Sequence, residues 1–397
     1  MAAEQSTNPF DSTERRALAD LVRSFTARKI APDLAKWENA GEIPLSVYRD
    51  LADTGILGIG FPEDLGGSGG DSIDTCIVAE SMLGAGGSGG AFAGLFSLGI
   101  AIPHVIDAVR ARQASGDTEG VDWLIDNVAS PVLAGEKLAA LGVTEPDGGS
   151  DVSNLHTRAI QDGADWIING AKTYITTGAR ADVLVVAART DAPGAMGISL
   201  FAVDTTTPGF EVVRRLDKMG WQCSDTAELA FTDMRVPTVA LLTPNAGDGF
   251  ASLSRHFAVE RLSLAALAYS TAARSLELTL NWVKQRETFG RPLIKRQVVR
   301  HTLVEMYRRT DVAREYSRGV AIRHAAGQPV LLEAVLAKNT AVEACDWVVD
   351  KAVQLHGGMG YMRDCEVERH YRDARILGIG GGATEVMTDL AAKLLDY

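Results

Sequence analysis

Three groups of residues could do chemistry here. Thr144 and Ser150 flank the Gly148-Gly149 turn in Thr144-Glu145-Pro146-Asp147-Gly148-Gly149-Ser150-Asp151. Such a turn exposes backbone N–H groups that suit an anionic group such as a pyrophosphate, although it also serves simply to open a new domain. Glu260 shares a helical stripe with Phe257, Leu264 and Leu267 at i−3, i+4 and i+7. A carboxylate on an apolar stripe is costly unless it is paired or used, so it is a candidate base. Arg286, Thr288 and Phe289 close a long helical run, where an arginine complements the helix dipole or clamps a phosphate. The four cysteines, Cys76, Cys223, Cys345 and Cys365, lack metal-ligand spacing. His356 and His370 have no companion at ligand spacing, so neither a metal site nor a nucleophilic triad is expected.

Composition limits what those residues can serve. The chain has 397 residues, 46% hydrophobic and 23% charged, which describes a folded protein of two or three domains rather than a disordered or fibrous one. Lys+Arg 39 against Asp+Glu 51 gives a net charge of −12, a field that repels a nucleic-acid backbone. The first residues carry acids and no apolar segment, unlike a secretory leader. The apolar stretch 91–102 contains Ser97 and runs into Pro103, too short to span a bilayer. With scattered cysteines, a cytoplasmic protein is expected.

The elements that must position these groups follow from periodicity. Leu18, Leu21, Val22 and Phe25 mark one helix face, with Asp11 and Glu14 as an expected capping box. Residues 44–57, 72–83 and 102–112 continue the helical pattern around a Gly-rich loop at 66–70. From about residue 139 the pattern becomes β. Residues 166–175 read as two short strands turned at Asn169-Gly170, and 183–187, 198–203, 210–213 and 228–236 are further strands. Helical runs return at 250–286, 297–326 and 330–355, with a short last helix from Ala383. The expected fold is α+β: an N-terminal helical domain (1–134), a middle β-barrel or sandwich (135–245) and a C-terminal helical bundle (246–397). Segregated helices and strands argue against an alternating Rossmann sheet.

Five ordered segments resemble the acyl-CoA dehydrogenase family. They are the TEPxxGSD-like segment from Thr144 to Asp151, Asn169-Gly170-Ala171-Lys172-Thr173-Tyr174-Ile175-Thr176 (NGxKxxIT), and Arg286-Glu287-Thr288-Phe289-Gly290-Arg291-Pro292 (RxxFGxP). Gln354-Leu355-His356-Gly357-Gly358-Met359-Gly360-Tyr361 (QxxGGxGY) and Tyr371-Arg372-Asp373-Ala374-Arg375 (YRDAR) complete the set. The resemblance implies FAD as cofactor. It places Leu141, Val143, Thr144, Gly149, Ser150, Tyr174, Thr176 and Thr384 against the flavin. Arg286, Thr288, Phe289, Gln297, Gln354 and Gly358 would hold the pyrophosphate and adenosine of a neighbouring subunit's cofactor. No metal is implied.

The implied reaction is α,β-dehydrogenation of an acyl-CoA thioester to the trans-2-enoyl-CoA. It needs a base for the α-proton, hydrogen bonds to the thioester oxygen and the flavin N5 as acceptor of the β-hydride. Many family members carry the base in a YEGTS-like segment, but here that position is Gly381 within Ile379-Gly380-Gly381-Gly382-Ala383-Thr384-Glu385. The isovaleryl and long-chain subgroup places a Glu followed by Arg in the long helix instead, which Glu260-Arg261 matches. Glu260 is therefore the expected base, with Ser150, Arg261 and Gly381 beside the substrate. Electron-transfer flavoprotein as acceptor and a homotetramer are implied by resemblance. A carrier-protein-bound acyl group, or an inactive flavin-binding relative, are the alternatives.

Overall fold

The computed structural model describes residues 8–190 and 193–397. The N-terminal layer contains α1 (Thr13–Phe25), α2 (Leu34–Ala40), α3 (Leu45–Asp53), α4 (Ser72–Gly84), α5 (Gly89–Leu95), α6 (Leu98–Ser115), α7 (Thr118–Leu124) and α8 (Ser130–Leu133). The cap of α1 corrects the sequence expectation. Ser12, rather than Asp11, accepts from Arg15 N–H, while the reciprocal capping box lies at Asp71 and Asp74 of α4. There both carboxylates also receive Arg15, at 2.8 and 2.9 Å. Pro103 does not stop the apolar run either, since it lies inside α6. The helical stretch Gly89–Ser115 is consequently long and apolar enough to cross a bilayer by length and composition, but 61% of its most apolar window is buried within the protein.

The middle unit is a seven-stranded mixed sheet in the order β1-β4-β2-β3-β7-β6, with β5 on the other edge of β4. Its strands are β1 (Ala139–Gly142), β2 (Arg158–Asp162), β3 (Asp165–Thr176), β4 (Val183–Arg189), β5 (Ile198–Asp204), β6 (Phe210–Arg215) and β7 (Thr226–Pro237). β4 is apolar on both faces for a physical reason. Val183, Val185 and Ala187 join the helical core, whereas Leu184, Val186 and Ala188 pack with Trp166, Phe201 and Met234 in a separate core inside the sheet. Alternation along a strand sends successive side chains to opposite sides, so β4 welds the sheet to the helices.

The turn expected at Asn169-Gly170 is absent. β3 runs straight through it with a register shift against β7 between Ile168 and Gly170. The chain reverses instead between Asp162 and Asp165, where Gly163 takes φ +64°. Asn169 spends its side chain on Asp233, accepting its N–H at 2.8 Å. A Cβ on Gly170 would crowd Thr157 at 2.5 Å, so glycine is needed there for close strand approach rather than for a hairpin.

The C-terminal layer begins with α9 (Gly249–Gln285), followed by the two-residue strands β8 (Glu287–Thr288) and β9 (Arg291–Pro292). Then come α10 (Gln297–Ala325), α11 (Leu331–His356), α12 (Glu366–Ala374) and α13 (Thr384–Leu394). The alanine-rich buried faces of α9 (Ala265, Ala266, Ala268, Ala272) and α11 (Ala334, Ala337, Ala341, Ala344) let their backbones approach closely. All three layers meet at Asp373. Its two oxygens accept the N–H of Gly90 from α5 at 2.9 Å and of Trp221 from the β6–β7 loop at 2.6 Å.

Candidate active site

The loop after β1 is held from beneath by charge. Glu145 is buried and receives Lys172 Nζ at 2.8 Å together with the N–H groups of His156 (2.6 Å) and Thr157 (2.9 Å). Lys172, fully buried, also donates to the Val143 carbonyl at 3.0 Å. Burial pulls the lysine down to about 8, and Lys172 leads the favourable interactions that keep Glu145 below its ordinary value despite desolvation. With its acid fixed, the loop turns Gly149 and Ser150 outward and leaves Thr144 half-buried, with the Gly149 Cβ direction 3.4 Å from Thr144 Cγ2. Tyr174 is 70% exposed in left-handed backbone (φ +58°) at a second β3 bulge, and Thr176 is half-buried beyond it. Leu141 and Val143, like Phe257 and Leu264 of α9, are partly buried against the helical core.

On α9, half-buried Glu260 and buried Arg261 sit side by side. Arg261 is buried, its Nε has no hydrogen-bond partner, and its guanidinium stands 5.5 Å over the Phe257 ring. Glu260 is raised above the ordinary carboxylate value, chiefly by desolvation, which Arg261 opposes. Facing it is the glycine turn before α13. A Cβ at Gly381 would stand 3.5 Å from Glu260 Oε1 and would collide with Leu264 Cδ1. Two distant parts of the sequence thus meet at one carboxylate. Glu277 and Glu287 do not compete for this place, since Glu277 pairs with Arg274 at 3.0 Å and Glu287 is exposed.

The other predicted contacts collect at the far end of α9. Phe289 (φ +52°) and Gly290 (φ +74°) form the turn between β8 and β9. Arg296 braces it from the start of α10, donating to the Thr288 carbonyl at 2.7 Å and lying 5.3 Å from the Phe289 ring centre. Arg286 and Gln297 are exposed on either side. Trp282 stacks on His356 at 5.2 Å, which brings the end of α11, with exposed Gln354 and Gly358, to the same end of the bundle. Glu260 and Arg286 lie on one helical rod, about 39 Å apart at 1.5 Å per residue. The structure therefore does not bring the two predicted groups together within one chain. Thr384 opens α13, its hydroxyl donating to the Gly378 carbonyl at 3.3 Å.

Family models cover most of the chain: the acyl-CoA dehydrogenase N-terminal domain at residues 12–111, the middle domain at 140–234 and the C-terminal domain at 247–395. The chain belongs to the acyl-CoA dehydrogenase family. It is 36% identical over 385 residues to the mitochondrial long-chain specific acyl-CoA dehydrogenase of Sus scrofa, covering 96% of this chain and 86% of that one. A probable acyl-CoA dehydrogenase from Mycobacterium abscessus superposes with TM-score 0.92 at 52% identity, covering 97% and 100% of the two chains. Butyryl-CoA dehydrogenase from Megasphaera elsdenii does so with TM-score 0.87 at 30% identity, covering 98% and 99%.

An acyl-CoA dehydrogenase is an FAD-dependent oxidoreductase, and the residues present fit that cofactor. Tyr174 is 70% exposed and Phe289 97% exposed. Aromatics left bare in their own chain suit a planar ring system. Sequence reasoning passed over Glu145, Lys172 and Asp373 as individuals. A lysine at a buried strand position and an acid beside a glycine turn were the available signals, because such groups are buried only when paired.

Proposed function

We propose that this protein removes two hydrogens from the α and β carbons of an acyl-CoA thioester, giving the trans-2-enoyl-CoA, with Glu260 as the α-proton base. The observation that carries this is the meeting of Glu260 Oε1 with the Gly381 Cβ direction, which puts a carboxylate where the chain lacks one in the turn before α13. A base must be unprotonated yet strong, and desolvation raises the proton affinity of Glu260 while Arg261 preserves its charged form. When bound, the flavin supplies the two-electron acceptor for the β-hydride. Leu141, Val143, Thr144, Tyr174 and Thr176 would hold its ring system, and the pinned loop at Gly149 and Ser150 would orient the thioester.

The separation of Glu260 from Arg286 along α9 supports a shared site. One site served by both Glu260 and Arg286 needs a second copy of the chain, which favours an oligomer such as the homotetramer. Arg286, Thr288, Phe289, Gln297, Gln354 and Gly358 would then serve a neighbour's FAD. Electron-transfer flavoprotein as oxidant, fatty acid metabolism as setting and the cytoplasm as location complete this reading. The test is an anaerobic screen of the FAD-loaded protein against acyl-CoAs of graded length and branching. Bleaching of the flavin absorbance by at least one is expected, and no bleaching by any of them, with bleaching by carrier-protein thioesters, would transfer the activity to that other substrate class.

A further inference from the structure

Behind the glycine turn stands a lysine that the reaction has not yet used. Lys338 of α11 is completely buried, and its ammonium donates to the carbonyl of Gly382. Among the described residues it forms no ion pair within contact distance, unlike Lys172. The next residue, Asn339, donates to the Thr384 carbonyl at 3.1 Å and the Thr388 hydroxyl at 3.3 Å. Two consecutive residues of α11 thus clamp the turn and the first part of α13. In front, Gly381 abuts Leu264 and Glu260, and beneath, a Cβ on Gly382 would collide with Met387. A charged group sealed in such a place without a counter-ion in contact is costly, so its position calls for a compensating role.

We propose that Lys338 is a positioning residue for Glu260: it fixes the 380–382 turn against the carboxylate and lends, from α11, a second positive charge beside that of Arg261. The inference rests on Glu260 being the base. The charged groups around this point are Glu260 and Arg261 of α9, Lys338 of α11 and Glu385 of α13. Lys338 and Arg261 both favour the ionised form of Glu260, against the burial that raises it. Burial first, then Arg261, bring Lys338 down to about 8, so it remains mostly protonated at neutral pH. With that charge gone, Glu260 would hold its proton more tightly.

The test titrates the two groups directly in the FAD-loaded protein without substrate. The Glu260 carboxyl band is followed by pH-difference infrared spectroscopy and assigned by its loss in Glu260→Gln. Lys338→Gln keeps an N–H donor for the Gly382 carbonyl but no charge, and is expected to raise the Glu260 midpoint by about one pH unit, a tenfold tighter hold on the proton. Coupling between two titrating sites is reciprocal. In Glu260→Gln, with Lys338 intact and resolved by its 15Nζ resonance, the Lys338 midpoint should therefore fall by a similar amount. An unshifted Lys338 midpoint overturns the proposal even if Lys338→Gln does not fold. An unshifted Glu260 midpoint in folded Lys338→Gln overturns it equally. Flavin reduction at the wild-type rate in Glu260→Gln would instead refute the base assignment, leaving the measured coupling to stand by itself.

Discussion

Glu260 Oε1 lies 3.5 Å from the place a Cβ on Gly381 would occupy, and Leu264 Cδ1 fills that place. The carboxylate on α9 and the missing side chain before α13 are therefore alternatives for one volume. A glutamate at both positions would put two like charges in a desolvated site, where one of them must stay protonated.

Replacing Glu260 tests its proposed role as base. Glu260→Gln keeps the shape and removes basicity, so FAD binding is expected to persist while flavin reduction by the best acyl-CoA falls by about 10²-fold or more, the scale of a lost general base. In the parent protein the rate should rise with pH through the elevated pKa of Glu260, above the ordinary carboxylate range. Rapid-mixing absorbance across pH checks both, and a Glu260→Gln rate equal to wild type sinks the assignment.

The same elevation has a stability sign. A carboxyl whose folded pKa exceeds its unfolded pKa binds more protons when folded, so stability falls as pH rises from the ordinary glutamate value of 4.5 through the elevated folded value. Glu260→Gln should remove that slope and melt at a higher temperature than wild type near neutral pH. Melting curves at several pH values decide, and a lower neutral-pH midpoint in the variant contradicts the prediction.

Moving the base is harder than the sequence suggests. Gly381 has φ +62°, which disfavours a side chain, and Leu264 blocks the Cβ. Glu260→Gln/Gly381→Glu is expected to stay as slow as Glu260→Gln alone. Adding Leu264→Ala clears the volume and should recover part of the lost rate, about tenfold or more if the two positions address the same α-carbon. Equal rates for the double and triple variants would show that position 381 cannot reach the reacting proton.

How much of this was legible beforehand depended on the range of the interaction. Period-3.6 and period-2 patterns located most helices and strands, because each element needs an apolar face. The Asn169-Gly170 turn was misread because its local chemistry favours a hairpin while Thr157 packs against the glycine from another strand. The cap at Ser12 was misread because Asp11 is also a good capping residue and only backbone geometry separates them. Glu260 stood out through its apolar stripe and through the family resemblance that leaves position 381 without a carboxylate, and the structure places the two side by side. The collision of Leu264 with that position, and the burial of Lys338 behind it, depend on how helices pack and have no periodic trace.

Asp373 offers a test of how the three layers are joined. Its buried carboxylate accepts two backbone N–H groups from different layers, and hydrogen bonds to a charged group contribute about 1.5–3 kcal/mol each. Asp373→Ala leaves both donors unpaired and should lower the melting temperature by several degrees, whereas Asp373→Asn, which retains an acceptor oxygen, should lose less. Scanning calorimetry at one scan rate compares them. Equal melting of wild type and Asp373→Ala would remove Asp373 from the junction.

Arg286 tests the shared cofactor site. It is exposed where α9 ends, beside a turn whose Phe289 is 97% exposed in left-handed backbone. Arg296 braces this turn from within the chain, and backbone strain of this kind persists where surrounding structure or function demands it. If Arg286 grips the pyrophosphate of a neighbour's FAD, Arg286→Ala should weaken FAD retention on gel filtration by about tenfold or more, with the melting temperature of the cofactor-free protein unchanged. Mixing Arg286→Ala with Glu260→Gln chains then gives the decisive reading. In a shared site, one pairing of subunits places both defects in the same site and the other leaves that site intact, so mixed assemblies should hold more flavin-reducing sites at limiting FAD than either variant alone. Retention equal to wild type in Arg286→Ala would return the residue to a helix-end charge with no role at the cofactor.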